Sequence, residues 1–182
     1  MTDASGIGPP GEPGPVGSGR MNGLLPAETA SADETHALGR QIAARLAPGD
    51  VLALHGGLGA GKTHLAQGIA AGLGAASAVT SPTFTLVHEH SLPGGGLLLH
   101  LDLYRIETPA DAARLGLGEM LAGDAVALVE WPDNAFGWLP PDTLHLRLTP
   151  LAGDHRRVET LDARLTPPVD GGRGELTPRT AG

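Results

Sequence analysis

The stretch Gly-Gly-Leu-Gly-Ala-Gly-Lys-Thr at residues 56–63 fits the pattern G-x-x-x-x-G-K-[ST] at every fixed position. It follows an apolar run at 51–55, which predicts a buried strand, and it precedes a pattern that predicts a helix over about 62–73. Glycines in such a loop let successive backbone N–H groups point at phosphate oxygens, and the helix start adds partial positive charge. The stretch therefore predicts a P-loop that binds nucleotide phosphates. A glycine-rich turn without a ligand is the alternative.

The P-loop supplies most of the candidate nucleotide-binding residues. The Lys62 ammonium is expected to reach the β- and γ-phosphates, and the Thr63 hydroxyl is expected to bind Mg²⁺. Lys62 is the only lysine among 12 basic residues, which indicates a place where a compact ammonium is needed; chance placement is the alternative. His64 is expected to pack locally or to hydrogen-bond on the phosphate side. The predicted set from this segment is Gly59, Ala60, Gly61, Lys62, Thr63 and His64.

Two acidic residues follow apolar runs and are candidates to complete a Mg²⁺ site. Glu130 ends the run 125–129, and Asp102 follows the run 97–101. Ligands of open α/β sheets lie outside the carboxyl ends of the strands, and Mg²⁺ prefers hard oxygen ligands there. Glu130 is predicted to bind the metal or orient the attacking water, with a solvated carboxylate as the alternative. Asp102 is predicted to hold the water, the Mg²⁺ shell or the Thr63 hydroxyl, with a cap of the following turn as the alternative.

Three further residues could contribute to a binding site. His88 and His90 share a strand face and could bind a metal, but a third ligand is not evident, so a polar strand face is favoured. Trp131 directly follows Glu130 and is expected near the edge of the nucleotide. Core packing is the slightly favoured alternative for this ring.

The composition excludes several classes of function. The net charge of −8 argues against tight direct binding of nucleic acid, because phosphate neutralisation needs clustered basic residues. The sequence has no cysteine, which excludes disulfides, thiolate metal sites and cysteine nucleophiles. It also shows neither a secretory signal nor an apolar run of membrane-spanning length. A cytoplasmic protein without membrane contact is predicted.

Gly- and Pro-rich segments flank one predicted domain. Residues 1–27 contain seven Gly and five Pro, and 166–182 are similar, so both are predicted to be disordered tails, with Met21 as an alternative translation start. The folded domain is predicted at 28–165. Its apolar strands and helices predict an α/β, P-loop NTPase-like fold, a mostly parallel sheet with flanking helices and an antiparallel hairpin portion. The predicted strands are 51–55, 83–90, 97–104, 125–129, 143–148 and 157–161, and the predicted helices begin near residues 31, 62 and 109.

Four segments together resemble those of one protein family. They read GGLGAGKT at 56–63, SPTFTLV at 81–87, HLDLYR at 100–105 and VEWP at 129–132. In the order and spacing of these segments the chain resembles the TsaE family, the P-loop ATPase of bacterial tRNA threonylcarbamoyladenosine biosynthesis. The resemblance covers nearly all of residues 31–160.

The resemblance implies an ATPase that is weak alone, uses ATP and Mg²⁺, and acts with the proteins TsaB and TsaD. Contact with tRNA is implied only through that complex. The positions matching Thr63 and Glu130 bind Mg²⁺ in the family, and the position matching Asp102 supports hydrolysis. Lys62, Asp102 and Glu130 are therefore the implied catalytic residues. The segment 81–85 resembles a switch near the γ-phosphate.

A late basic residue of the family contacts the nucleotide. Arg157 is the nearest match here, and the neighbouring Arg156 stays an open alternative. The chain departs from the family at Gly57, where an acidic or amide residue is usual, and at His64, where a second Thr is usual. Both lie outside the fixed P-loop positions, so binding is expected to survive.

Two other functions are compatible with a P-loop. A small-molecule kinase usually needs a mobile lid with several Arg, and residues 104–124 contain only Arg105 and Arg114. A nucleotide-gated binding module with negligible hydrolysis would use the same phosphate contacts to order a switch. Measurement of ATP turnover separates these readings.

Overall fold

The computed structural model of the chain describes residues 18–76, 86–161, 165–166 and 177–178. In this part of the chain the main element is a seven-stranded sheet in the order β1-β7-β6-β2-β5-β4-β3. Its strands are β1 (Ala27–Thr29), β2 (Val51–His55), β3 (Val87–Ser91), β4 (Leu97–Asp102), β5 (Val126–Glu130), β6 (Leu144–Pro150) and β7 (Arg156–Thr160).

The centre of the sheet is parallel and its edges are antiparallel. β2 pairs in parallel with β5 and β6, and β4 pairs in parallel with β5. β3 pairs antiparallel with β4 at one edge, and β6, β7 and β1 run antiparallel at the other. All residues of β2 and β5 are buried, as expected for strands covered on both faces. The predicted α/β fold with a parallel centre and an antiparallel hairpin is confirmed.

In the described part of the chain four α-helices flank the sheet, and all three predicted helix starts are confirmed. The helices are α1 (Ala32–Ala43), α2 (Lys62–Leu73), α3 (Pro109–Arg114) and α4 (Leu117–Leu121). Ser31 caps α1 by accepting from the Glu34 N–H at 3.1 Å, and Thr108 with Asp111 forms a capping box at α3. None of the described helices is long and apolar enough to cross a membrane.

Glycines let α1 and α2 pack very closely on one face of the sheet. A Cβ on Gly68 would lie 2.1 Å from the carbonyl oxygen of His36, and one on Gly39 would lie 2.6 Å from that of Leu65. Any larger residue would separate the two helices. Since α2 begins at the P-loop, this packing fixes the loop against the sheet.

Alternate residues of the strands pack into two hydrophobic cores, one on each face of the sheet. Leu98 and Leu128 pack with α1 and α2 in the first core. Leu99 and Val129 pack with α3, α4 and the 3₁₀ segment Pro132–Trp138 in the second. Side chains two residues apart on a strand share a face, so the last residue of β5 points to the side of α2.

The folded region begins earlier than residue 28, where the sequence placed its start. Met21, at the end of the 3₁₀ turn Ser18–Met21, is 2% exposed and joins the first core. The Arg20 guanidinium donates to Asp50 Oδ2 at 2.7 Å, and Arg45 Nη1 donates to the Arg20 carbonyl at 2.7 Å. The Gly and Pro content of residues 1–27 gives no sign of this turn, which is held by one buried side chain and a few hydrogen bonds. Residues 1–17 lie outside the described residues.

The second segment predicted to be disordered, 166–182, is described at three positions. Leu165–Thr166 pairs antiparallel with Thr177–Pro178. The other residues of this segment lie outside the described part.

A pair of buried histidines lies on the sheet face opposite α1 and α2. His55 Nε2 and His145 Nδ1 are 2.9 Å apart, and His55 Nδ1 lies 3.8 Å from Asp133 Oδ1. Burial, helped by the neighbouring His55, lowers the pKa of His145 to about 4. His145 is therefore uncharged in the folded protein at neutral pH, whereas an unfolded chain would protonate it near its ordinary pKa.

We predict that Met21→Ala lowers the free energy of unfolding by about 2–4 kcal/mol, because it leaves a cavity in the first core. Arg20→Ala, which removes a partly exposed ion pair, should cost at most about 1 kcal/mol. Denaturant titrations of both variants measure this. Equal free energies of unfolding for wild type and Met21→Ala would support a folded domain that starts at residue 28.

The histidine pair predicts how stability depends on pH. Below the ordinary histidine pKa, His145 is protonated in the unfolded chain but stays neutral in the folded protein. The free energy of unfolding therefore falls as the pH drops toward about 4. From about pH 7 to about pH 5 the loss from this residue is on the order of 2 kcal/mol. His145→Gln should remove that loss, whereas His155→Gln, at an exposed position, should keep it. Identical pH profiles for wild type and His145→Gln in urea titrations would contradict the assignment.

Candidate nucleotide-binding site

A cleft of about 610 Å³ opens at the carboxyl ends of β2, β4 and β5. Three parallel strands end here beside the start of α2, which is where ligands of open α/β sheets bind. The residues lining it are Ala32, residues 58–64, Leu86, Asp102, Tyr104, Arg105, Glu130, Trp131, Asp154 and Arg156.

The P-loop takes its shape from glycines that no other residue replaces without strain. Gly59 and Gly61 have φ of 77° and 97°, and Gly61 directly precedes α2. Gly56 has φ of 143°, and a Cβ on it would lie 2.6 Å from the carbonyl oxygen of Leu148. The predicted strand–loop–helix setting of the motif is confirmed, and α2 directs its N-terminus into the cleft.

Lys62 is held by the loop itself. Its side chain is 5% exposed, and its ammonium donates to the carbonyls of Gly56 at 2.7 Å and Gly57 at 2.9 Å. The same nitrogen lies 3.6 Å from the centroid of the Trp131 ring, a cation–π contact. Burial lowers the pKa of Lys62, while the carboxylates of Glu130 and Asp102 act in the opposite direction.

Trp131 forms a wall of the cleft, as one of its two sequence interpretations proposed. Its backbone has a φ of 57°, which is uncommon for a bulky residue and turns the ring toward Lys62. The ring of Tyr104 packs against it edge-on, with centroids 4.9 Å apart. This aromatic pair lies beside the loop that would carry the phosphates.

Glu130 lies between two donors under the P-loop. Thr63 Oγ1 donates to Glu130 Oε2 at 3.2 Å, and the imidazole of His100 lies with Nε2 2.9 Å from Glu130 Oε1. The carboxylate is 2% exposed, so these contacts replace most of its solvation. Thr63 and Glu130, the two predicted Mg²⁺ ligands, are thus in direct contact, and their binding of Mg²⁺ stays a prediction.

Asp102 caps the turn that follows β4 and also lies in the cleft. Its Oδ1 accepts from the Tyr104 N–H at 3.0 Å, which caps the following turn, and the side chain also lines the cleft. It is the direct neighbour of Glu130 across β4 and β5. Burial raises the pKa of Asp102, and the nearby Glu130 carboxylate adds to this, while the Tyr104 hydrogen bond opposes it.

Arg156, and not Arg157, lies at the P-loop. A Cβ on Gly61 would lie 2.8 Å from Arg156 Nη1, so the guanidinium covers the last glycine of the loop. Arg157 points to the other face, where it lies 3.7 Å from Glu28 and 3.6 Å from Glu159. Of the two arginines that the family resemblance left open, Arg156 therefore lines the cleft, while the contact of either one with nucleotide stays a prediction.

Comparison with known proteins shows the family to which the chain belongs. The model of the family "Threonylcarbamoyl adenosine biosynthesis protein TsaE" matches residues 29–158. The chain belongs to the TsaE family. A Bacillus subtilis relative named "tRNA threonylcarbamoyladenosine biosynthesis protein TsaE" is 41% identical over 130 residues, which cover 71% of this chain and 80% of the relative. A Streptomyces coelicolor relative of the same name is 44% identical over 119 residues, covering 64% of this chain and 80% of the relative.

The fold agrees with a solved structure. The crystal structure of Bacillus subtilis YdiB superposes with a TM-score of 0.62 at 37% sequence identity. The match covers 75% of this chain and 83% of that one. The family resemblance drawn from the four sequence segments is confirmed.

The oxygen atoms at the base of this TsaE-family cleft suit Mg²⁺. Thr63 Oγ1 and Glu130 Oε2 lie 3.2 Å apart, and Asp102 lies next to Glu130. Within the described residues no three His, Asp or Glu side chains are grouped to hold a metal by themselves. Mg²⁺ commonly uses only one or two protein oxygens and takes the rest from phosphates and water, so this donor set fits it. The same finding gives no support to a metal at His88 and His90.

The remaining predicted residues differ in whether they line the cleft. His64 is exposed and lines the cleft, whereas Gly57 is exposed and is not among the residues that line it. The segment 81–85, predicted to be a switch, lies outside the described residues. Sequence reasoning missed the cleft positions of Tyr104, Arg105 and Asp154. The first two directly follow the strand that ends at Asp102, which was a usable signal, while the hairpin residue Asp154 had none.

Proposed function

We propose that this protein binds Mg²⁺–ATP in the cleft and hydrolyses it in support of threonylcarbamoyladenosine formation on tRNA. The observation that carries the proposal is the meeting of Lys62, Thr63 and Glu130 at the start of α2. The tRNA role comes from the printed names of the relatives. The ATP chemistry is inferred from the groups in the cleft.

Phosphate binding would use donors that the loop already presents. Backbone N–H groups of the loop and the N-terminus of α2 attract the phosphate oxygens. Lys62 would exchange the carbonyls of Gly56 and Gly57 for the β- and γ-phosphates, and Arg156 would add a second cation above Gly61. The exchange keeps the ammonium supplied with oxygen ligands throughout.

Hydrolysis would proceed between the phosphates and the two carboxylates. Bound Mg²⁺, held by Thr63 and Glu130, would neutralise charge on the phosphate oxygens. Asp102, which lines the cleft, would orient a water molecule for attack on the γ-phosphorus and take its proton. The water oxygen forms the new bond, the bond from phosphorus to the bridging oxygen breaks, and ADP and phosphate leave.

The proposed partners are the proteins TsaB and TsaD, with tRNA reached through their complex. The net charge of −8 suits a subunit that leaves the RNA contact to others. A kinase with an arginine-bearing lid fits less well. Arg105 lines the cleft, but Arg114 pairs with Asp111 at 2.9 Å and is 79% exposed.

The Arg156 assignment has a matched control in its neighbour. Arg156→Ala is expected to weaken Mg²⁺–ATP binding about tenfold or more, because a charge-assisted contact to phosphate is lost. Arg157→Ala should bind within about twofold of wild type, since its side chain faces Glu28 and Glu159. Calorimetric titration gives both dissociation constants. A larger loss in Arg157→Ala than in Arg156→Ala would reverse the assignment.

The functional proposal predicts partner-dependent turnover. ATP hydrolysis should be slow with the protein alone and should rise when TsaB, TsaD and tRNA are added, and tRNA modification over many turnovers should require it. Lys62→Ala should abolish both effects because the ammonium that binds the β- and γ-phosphates is lost. Undiminished multiple-turnover modification without the protein would refute the tRNA role. Binding of ATP without any release of ADP would indicate a nucleotide-gated binding module.

A further inference from the structure

A fully buried imidazole lies behind the candidate magnesium site. His100 is 0% exposed in the middle of β4, in the sequence Leu97-Leu-Leu-His-Leu-Asp102. We propose that His100 is a positioning residue that holds the Glu130 carboxylate in the orientation that binds Mg²⁺. The inference rests on the proposed function of the cleft.

The contact geometry fixes both oxygens of Glu130. His100 Nε2 lies 2.9 Å from Oε1, and Thr63 Oγ1 lies 3.2 Å from Oε2. A carboxylate only accepts hydrogen bonds, so Nε2 carries a proton and donates. With Oε1 held from behind, Oε2 is the oxygen presented beside the Thr63 hydroxyl. This is the side on which both would reach one ion.

The burial of His100 has a cost that core packing does not explain. Its Nδ1 is buried and finds no hydrogen-bond partner among the residues that the structure describes. A buried polar atom without a partner destabilises the fold, and the neighbouring core positions 98, 99 and 101 are all leucine. A leucine at position 100 would avoid this penalty. The hydrogen bond to Glu130 is the contact that histidine makes here and leucine could not make.

His100 acts through Glu130 and not on the nucleotide. It is absent from the residues that line the cleft, and it is closed off from solvent. His100 would not touch the ion but would hydrogen-bond Glu130, the residue that binds it. Such a contact orients the metal ligand and raises its affinity for the metal. Removal of such a partner typically lowers metal affinity about 10–100-fold.

Three substitutions separate positioning from packing. His100→Gln places an amide N–H close to the position of Nε2, so it keeps a donor toward Glu130. His100→Asn places its amide near Nδ1 and falls short, and His100→Leu has no donor. His88→Gln changes the imidazole opposite His100 on β3 and serves as the control.

The measurement is the Mg²⁺ concentration that gives half-maximal binding of a fluorescent, non-hydrolysable ATP analogue, compared with binding of the same analogue in EDTA. We expect His100→Asn and His100→Leu to need about 10–100-fold more Mg²⁺, while His100→Gln stays within about threefold and His88→Gln is unchanged. Binding in EDTA should stay within about twofold in every variant, because the phosphate contacts of the P-loop remain. A Mn²⁺ titration followed by electron paramagnetic resonance should show the same order of affinities.

The outcomes also distinguish this inference from the proposed function. An unchanged Mg²⁺ requirement in both His100→Asn and His100→Leu overturns the positioning role. An equal loss in His100→Gln and His100→Asn does the same, as does a parallel loss in EDTA, since either indicates disturbed packing. Should His100→Leu fail to fold, the comparison of Gln with Asn decides alone. If wild type binds the analogue without any response to Mg²⁺, it is the proposed function that fails.

Discussion

The burial of the Lys62 ammonium is the constraint around which the site is built. A desolvated cation needs oxygen ligands or an aromatic face, and the chain supplies both through the carbonyls of Gly56 and Gly57 and the ring of Trp131. These contacts determine the curl of the loop, which in turn requires positive φ at Gly61 where α2 begins. The ammonium is thus held in a fixed position at the start of α2, which under the proposed function is where phosphate oxygens would replace the carbonyl oxygens.

The sheet supplies the negative half of the site. Because β4 and β5 run parallel and in register, Asp102 and Glu130 end side by side, and strand alternation directs Glu130 toward α2. The two neighbouring carboxylates lie close to each other at the base of the cleft, while the cations Lys62 and Arg156 lie at the P-loop. The raised pKa of Asp102 reflects its burial and this crowding. Under the proposed function, bound Mg²⁺ would offset the charge of both carboxylates.

Much of this could be predicted where a local pattern determines the structure. The P-loop, its strand and its helix follow from one glycine-rich segment, and Glu130 follows from its place at the end of an apolar run. The choice between Arg156 and Arg157, which the family resemblance left open, turns on strand alternation, and only Arg156 lines the cleft. Val158 is a core residue, so its face of β7 carries Arg156, and that pattern was readable. The burial of Met21 could not be predicted, since the other members of its core, such as Leu38 and Ile42, are distant in sequence and its direct neighbours Arg20 and Asn22 are polar.

The most direct test follows the side chain of the only lysine. Protein made with isotope-labelled lysine gives one set of side-chain signals in an NMR spectrum, because Lys62 is the single lysine. In the nucleotide-free protein these signals should be shifted upfield by the ring of Trp131, whose centroid lies 3.6 Å from the ammonium nitrogen. Saturating Mg²⁺–ATP should move them, since the ammonium exchanges carbonyls and ring for phosphate oxygens. Signals that stay unchanged under saturating Mg²⁺–ATP would contradict the account.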